Sequence, residues 1–253
     1  MSDRTEVFQP RARAGAIRAS LVSAGCFLRG LPLFFCAAPR TPLRVLGIIA
    51  LDTLHVLRHS RPLPRPRARV LAMFLDLEGC ANAAWDLKDL SAADYGALRQ
   101  RLVGAGLGPC LEEYLDRLRQ LESGRPSTGG DHRHLDLVRS YREAVARLSI
   151  TTAAAIALKP DCRAQDIRAP QCDSDIDALF RILMQCQIID DVVDYEEDLS
   201  AGLPSFLTAS ASRSQALTSA ADAARCYAEG REHSSDAPVF PLRVALLVVS
   251  ALA

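Results

Sequence analysis

The sequence predicts an all-α protein, a single helical bundle. Three observations predict it. Apolar residues recur at helical spacing over long segments. No convincing run alternates apolar and polar residues as half-buried strands do. Clusters of Pro, Gly and Ser cut the chain into pieces of helix length. The 253 residues suffice for one domain with a substantial core. There is no internal repeat at a fixed period.

Residues 1–14 read as a floppy basic N-terminus ahead of one helical domain over 15–253. The pattern predicts a first helix over 15–29. Pro32, Pro39 and Pro42 punctuate the next stretch, and 43–58 reads as a helix apolar on all sides. Arg61 to Arg67, with Pro at 62, 64 and 66, reads as a loop. A long helical region is predicted over 68–89. Ser91 is a good N-cap for a helix over 92–104. Gly104, Gly106 and Gly108 interrupt it, and 109–123 resumes with Leu111, Leu115 and Leu118 on one face. The segment 124–132 is turn-rich. Further helices are predicted over 133–158, 175–200, 211–229 and 240–253, with irregular chain at 160–174 and a loop at 230–238.

The formal net charge is zero, so overall charge names no partner and no nucleic-acid partner is expected. The charge is unevenly spread: residues 1–70 are strongly basic, with Arg61, Arg65, Arg67 and Arg69 close together. This part suits loose peripheral contact with an anionic membrane surface. No segment spans a membrane, because Arg29, Gly30 and Pro32 break 20–38, and 44–57 is too short. The eight cysteines are scattered without a C-x-x-C pair. A chain this long and apolar does not need disulfide staples, and a reducing, cytoplasmic setting is expected.

Residues 187 to 206 carry the strongest chemical signal. On an unbroken helix Gln187, Asp190, Asp191, Asp194 and Asp198 share an arc of roughly 100°. Ile188, Ile189, Val192 and Val193 fall on the other sides, so this helix is expected to be largely packed in. Like charges at this spacing cost a few tenths of a kcal/mol per pair, which points to a cation placed against them. Hard oxygen ligands favour Mg²⁺, Mn²⁺ or Ca²⁺ over zinc. An EF-hand is excluded by the helical spacing. Mg²⁺ held by a few carboxylates commonly serves phosphate or diphosphate chemistry.

A diphosphate site wants a second acidic group opposite the first. The segment 75–89 supplies Glu78, Asn82, Asp86 and Asp89 on an arc of about 80°, with Asp76 pointing elsewhere. Lys88 neutralises a neighbour or grips phosphate. Cationic groups for phosphate are Arg139, Arg142, Lys159 and Arg181. Each of these, taken alone, is more often a solvated surface residue.

The run from Gln187 through Asp190, Asp191 and Asp194 to Asp198 and Gly202 resembles the second aspartate-rich motif of trans-isoprenyl diphosphate synthases. It also looks like the wider class I terpenoid synthase family, including squalene and phytoene synthases. The resemblance implies a helical bundle in which two acidic motifs on facing helices bind Mg²⁺ or Mn²⁺. The metals bind the diphosphate of an isoprenyl diphosphate substrate and help it leave, for prenyl transfer or cyclisation. On the resemblance Asp190, Asp194 and Asp198 match metal-binding positions, Asp191 and Gln187 match their usual neighbours, and Asn82 and Asp86 would have to serve as the first motif. The expected metal set is thus Asp190, Asp191, Asp194, Asp198, Asn82 and Asp86, with Gln187, Glu78, Asp89, Arg139, Arg142 and Arg181 expected on the substrate side. A homodimer stays open.

Three departures from the family pattern stand out. The first motif lacks the usual aspartate pair. Leu203-Pro204-Ser205 follows Gly202 where chain-elongating members have Gly-Lys-Thr. The 240–253 pattern stops in mid-helix, as in a short or truncated member. These departures define an alternative, a non-catalytic member of the same fold acting as a binding or partner subunit. A helical metal-dependent phosphohydrolase is disfavoured, since none of the five histidines lies near either stripe in sequence.

Overall fold

The computed structural model describes residues 42–87, 92–128, 132–159, 161–168, 173–210 and 212–228. Within these residues it is 83% helical, with no strand. The predicted basic terminus at 1–14, the helices over 15–29 and 240–253, the loop at 230–238, Lys88 and Asp89 lie outside the described residues.

Helix α1 (Pro42–His59) opens on a proline, whose missing N–H is an orphan at that position anyway. Arg58 and His59 sit in its last turn, where cations suit the helix dipole. The chain then reverses sharply. Asp52 accepts the Leu63 N–H at 2.7 Å, and His55 Nδ1 lies 2.9 Å from the Arg61 carbonyl. Helix α2 (Arg65–Leu87) starts earlier than the proline-rich sequence suggested. Pro66 falls in its first turn, where proline breaks no hydrogen bond.

Helix α3 (Ala92–Leu102) runs through a π-helical turn (Val103–Leu107) into α4 (Gly108–Ser123). The three glycines mark this kink as expected, and Gly106 takes φ +86°, a conformation that side chains resist. Helix α5 (His132–Leu158) is the longest. The stretch expected to be irregular contains the short α6 (Ala164–Arg168).

Helix α7 (Ser174–Val193) is N-capped by Asp173, which accepts from the amides of Asp175 and Ile176. The predicted single helix over 175–200 is broken at Asp194 (φ −96°, ψ 13°), and α8 (Tyr195–Ala201) continues beyond. Asp190, Asp194 and Asp198 remain linked by backbone bonds from each amide to the carbonyl four residues earlier. Gly202 ends α8 at φ +69°, and the Leu203 amide reaches back to the Asp198 carbonyl. This is a left-handed glycine cap. Helix α9 (Arg213–Ala228) is the last described element.

The core forms around α5. Arg67 on α2 donates to the Ala157 carbonyl at 3.3 Å, and Glu78 accepts a hydrogen bond from Ser149. Arg147 pairs with Asp177 at 3.3 Å, and Arg142 pairs with Asp191. Tyr141 donates to Glu122 of α4 at 2.8 Å. Numbers fall on α5 as they rise on α2 and α7, so both helices run antiparallel to α5. Their C-terminal ends therefore reach the same end of the bundle. Phe74, Leu77, Tyr114, Leu118, Ala153 and Leu179 join one buried cluster. Phe180, Met184, Ile188, Phe206 and Tyr227 form a second.

Candidate functional site

The acidic end of the bundle is built where α7 stops. Its foundation is Asp191, which is only 2% exposed. One carboxylate oxygen pairs with Arg142 of α5, and the other accepts the Phe206 N–H at 2.9 Å. Asp191 thus ties α7 to the central helix and to the segment 204–209. That segment is itself buried and locked, with Thr208 Oγ1 accepting the Ser205 amide at 2.7 Å and donating to the Leu203 carbonyl at 2.6 Å.

The two neighbouring aspartates are therefore unlike. Asp190 is exposed and Asp191 is inside. Met184, Ile188 and Asp191 share the packed face of α7, since they lie within about 60° of one another. The other apolar residues do not pack as expected. Ile189 is 49%, Val192 46% and Val193 75% exposed. The expectation of a largely buried helix end is corrected accordingly: the bundle covers the Asp191 edge of the acidic arc, and turns the opposite apolar side outward.

Asp190 and Asp198 lie close enough to Arg142 to feel its charge, and Asp194 lies close enough to act on both of them. Burial, then the Asp194 charge, raises the Asp190 carboxyl, and Arg142 offsets part of this. Burial raises Asp191 as well, against the pull of Arg142 and the Phe206 amide. Asp198 is pushed up to about 6, by burial first and then by Asp191, with Asp194 and Asp190 adding to it. More negative charge is collected here than Arg142 alone neutralises. Gln187 Oε1 and Arg142 Nε are both buried with no hydrogen-bond partner among the described residues.

The first motif divides. Glu78 is buried in the core and lies against Ser149. Burial raises its carboxyl to about 7, and among the described residues no cation acts to lower it. Its expected place on the substrate side is therefore corrected: the α2 arc turns into the α4–α5 packing at this height. Asp76 pairs with Arg44 at 3.2 Å, away from the arc as the spacing requires. Asn82 is half-buried one turn further along, and Asp86 lies on the last turn of α2. Asp86 stands eight residues past Glu78, about 12 Å along the axis. Arg142 stands seven residues before Ser149, about 10 Å. Antiparallel packing thus brings the Asp86 turn level with Arg142 and Asp191.

The expected phosphate-side arginines are not gathered. Only Arg142 is at the acidic end. Arg139 pairs with Glu143 at 3.7 Å and lies over the Tyr227 ring at 5.7 Å. Arg181 is held by Asp177 at 3.4 Å, nine residues or roughly 13 Å along α7 from Asp190. Lys159 pairs with Asp166 at 2.6 Å. Among the described residues no group of three or more His, Cys, Asp or Glu side chains converges on one point as a metal cage would. The donor chemistry still fits a hard cation, because Mg²⁺ commonly takes one or two carboxylates and completes its shell with water and phosphate. The Phe206 amide is the partner that spacing could not reveal, since it comes from a different turn of chain.

No described helix is long and apolar enough to cross a membrane. Compared with known proteins, the chain matches no family model, no curated protein and no solved structure.

Proposed function

We propose that the acidic end of α7–α8 binds Mg²⁺ or Mn²⁺, and through it the diphosphate of an isoprenyl diphosphate. On this reading the protein is a class I enzyme of isoprenoid biosynthesis, for prenyl transfer or cyclisation. The observation that carries the proposal is the set of Asp190, Asp194 and Asp198 beside an arginine already paired with Asp191, the one cation acting on them among the described residues. The level of the Asp86 turn is compatible with it, since the last turn of α2 reaches the same height.

Each residue has a distinct task. Asp190 and Asp194, both exposed, hold the cation and can turn to meet it. Asp198 joins once it is ionised. Asp191 does not ligate: it fixes Arg142, whose charge would be left to act on a diphosphate bound beside it. Gln187 Oε1, buried without a partner among the described residues, would be an acceptor available to a hydrated cation. The divalent cation supplies neutralisation of the departing diphosphate.

The test is Mg²⁺-dependent release of diphosphate from geranyl, farnesyl or geranylgeranyl diphosphate. Release that is lost in Asp190→Ala and Asp194→Ala supports the enzyme. One observation favours a second reading, a non-catalytic binding subunit of the same fold: Glu78 is folded into the core instead of serving the acidic end. Metal-dependent binding of the three substrates without release would select that reading.

A further inference from the structure

A separate groove lies between α4, α5, α6 and α7, with a cavity volume of about 460 Å³. This is the size of pockets that take small ligands. Leu121, Leu148, Ile167, Ile176 and Phe180 give it an apolar floor. Arg117, Arg147 and Arg168 stand around it.

The ion pairs at this groove leave positive charge over. Arg117 Nε and Arg168 Nη2 lie 3.2 and 2.5 Å from the single carboxylate of Glu113. Arg147 Nη1 and Arg181 Nε lie 3.3 and 3.4 Å from the single carboxylate of Asp177. Each carboxylate thus serves two guanidiniums, and two of the four positive charges are unmatched within these clusters. The cations are also held at the edge of the apolar floor. Arg147 Cζ sits 3.7 Å from the centre of the Phe180 ring, and Arg117 donates to the Ile167 carbonyl at 3.0 Å. A neutral apolar ligand would leave the charge unanswered, and a simple anion would leave the floor wet.

We propose that this groove binds a single-chain amphipathic anion. Its chain lies along the floor, and its phosphate or carboxylate head sits among Arg117, Arg147 and Arg168. Phe180 is ten residues, about 15 Å, from Asp190 along α7. The groove is therefore distinct from the acidic end, and its binding needs no divalent cation.

Titration calorimetry on the full chain in excess EDTA tests this, so that failure of the metal-dependent reading leaves the outcome unaffected. The probes are octyl phosphate and octanoate, with octanol and inorganic phosphate as partial ligands. One of the two amphiphiles should bind at a single site, about tenfold or more tighter than octanol or phosphate. The tighter amphiphile identifies the head group as phosphate or carboxylate. Arg147→Gln combined with Arg168→Gln should weaken binding about tenfold or more. Ala144→Trp should block it by filling the groove without changing charge. Should Ala144→Trp fail to fold by circular dichroism, the arginine pair decides alone. Absence of binding by both amphiphiles, equal binding of octanol, or affinity unchanged in the arginine double variant would overturn the proposal.

Discussion

Asp191 and Arg142 form the ion pair on which the acidic end rests. The carboxylate is buried and the guanidinium is half-buried, and the second carboxylate oxygen holds the Phe206 amide. A buried charge kept by a cation and an amide is a structural device before it is a ligand. The neighbouring Asp190 is exposed instead, close enough to Asp194 and Arg142 for both charges to act on its carboxyl.

This contrast gives opposite outcomes for two aspartates of the same arc. Asp191→Ala leaves Arg142 without its partner and the Phe206 N–H without an acceptor. It should cost roughly 3 kcal/mol. Asp194→Ala should stay within about 0.5 kcal/mol of wild type when no metal is bound. Urea unfolding in EDTA measures both. Equal effects would contradict the assignment of Asp191 to the scaffold.

Glu78 should make stability fall as pH rises. Its carboxyl lies near 7 when folded against an ordinary 4.5. The folded state therefore binds the proton more tightly. The resulting stability is fully present below about 4.5 and is lost as pH rises through about 7. Glu78→Gln keeps the acceptor for Ser149 and removes the titration. It should be close to neutral at pH 4.5 and stabilising by on the order of 2 kcal/mol at pH 8. Unfolding curves at the two pH values check this, and a variant destabilised at pH 8 would contradict it.

Asp198 acts in the same direction until a cation arrives. Its folded value of about 6 lies above the ordinary 3.8. In EDTA its contribution to stability is lost as pH rises from about 4 through about 6. Asp198→Asn should flatten that part of the profile. Mg²⁺ must compete with the same proton, so its affinity for the wild type should fall as pH drops below about 6. Calorimetry at pH 5 and pH 7.5 compares the two. An affinity independent of pH would remove Asp198 from the site.

The weaker motif is tested by its register. Asp86→Ala should weaken Mg²⁺-dependent binding of an unreactive prenyl diphosphate analogue, and the double variant with Asp190→Ala should be less than additive. Asp76→Ala removes the Arg44 pair on the other side of α2 and should leave that binding unchanged. Loss of binding in Asp76→Ala with wild-type affinity in Asp86→Ala would place the working face of α2 elsewhere.

Much of the fold is legible in the sequence because helix periodicity and breakers are local. The glycines at 104, 106 and 108 mark the π-helical kink, and Ala153 to Ala157 are buried as an apolar run should be. What periodicity does not reveal is which sector of a helix its neighbours cover. Asp190 and Asp191 lie at opposite edges of one arc, and only the packing of α5 and of 204–209 decides that Asp191 goes inside. The same limit explains Val193, apolar yet exposed, and Glu78, charged yet buried. The break at Asp194 carries no proline or glycine to announce it. The arginine-rimmed groove draws on four helices, so no spacing within one segment points to it.

Whether the acidic end works as a metal–diphosphate site is decided most directly by one titration. The unreactive prenyl diphosphate analogue is titrated into the wild type, Asp190→Ala and Asp194→Ala, with and without Mg²⁺. The wild type should bind only when Mg²⁺ is present. Both variants should lose that binding while their unfolding curves in EDTA match the wild type. Binding that is indifferent to Mg²⁺, or retained at wild-type affinity in both variants, would contradict the metal–diphosphate site.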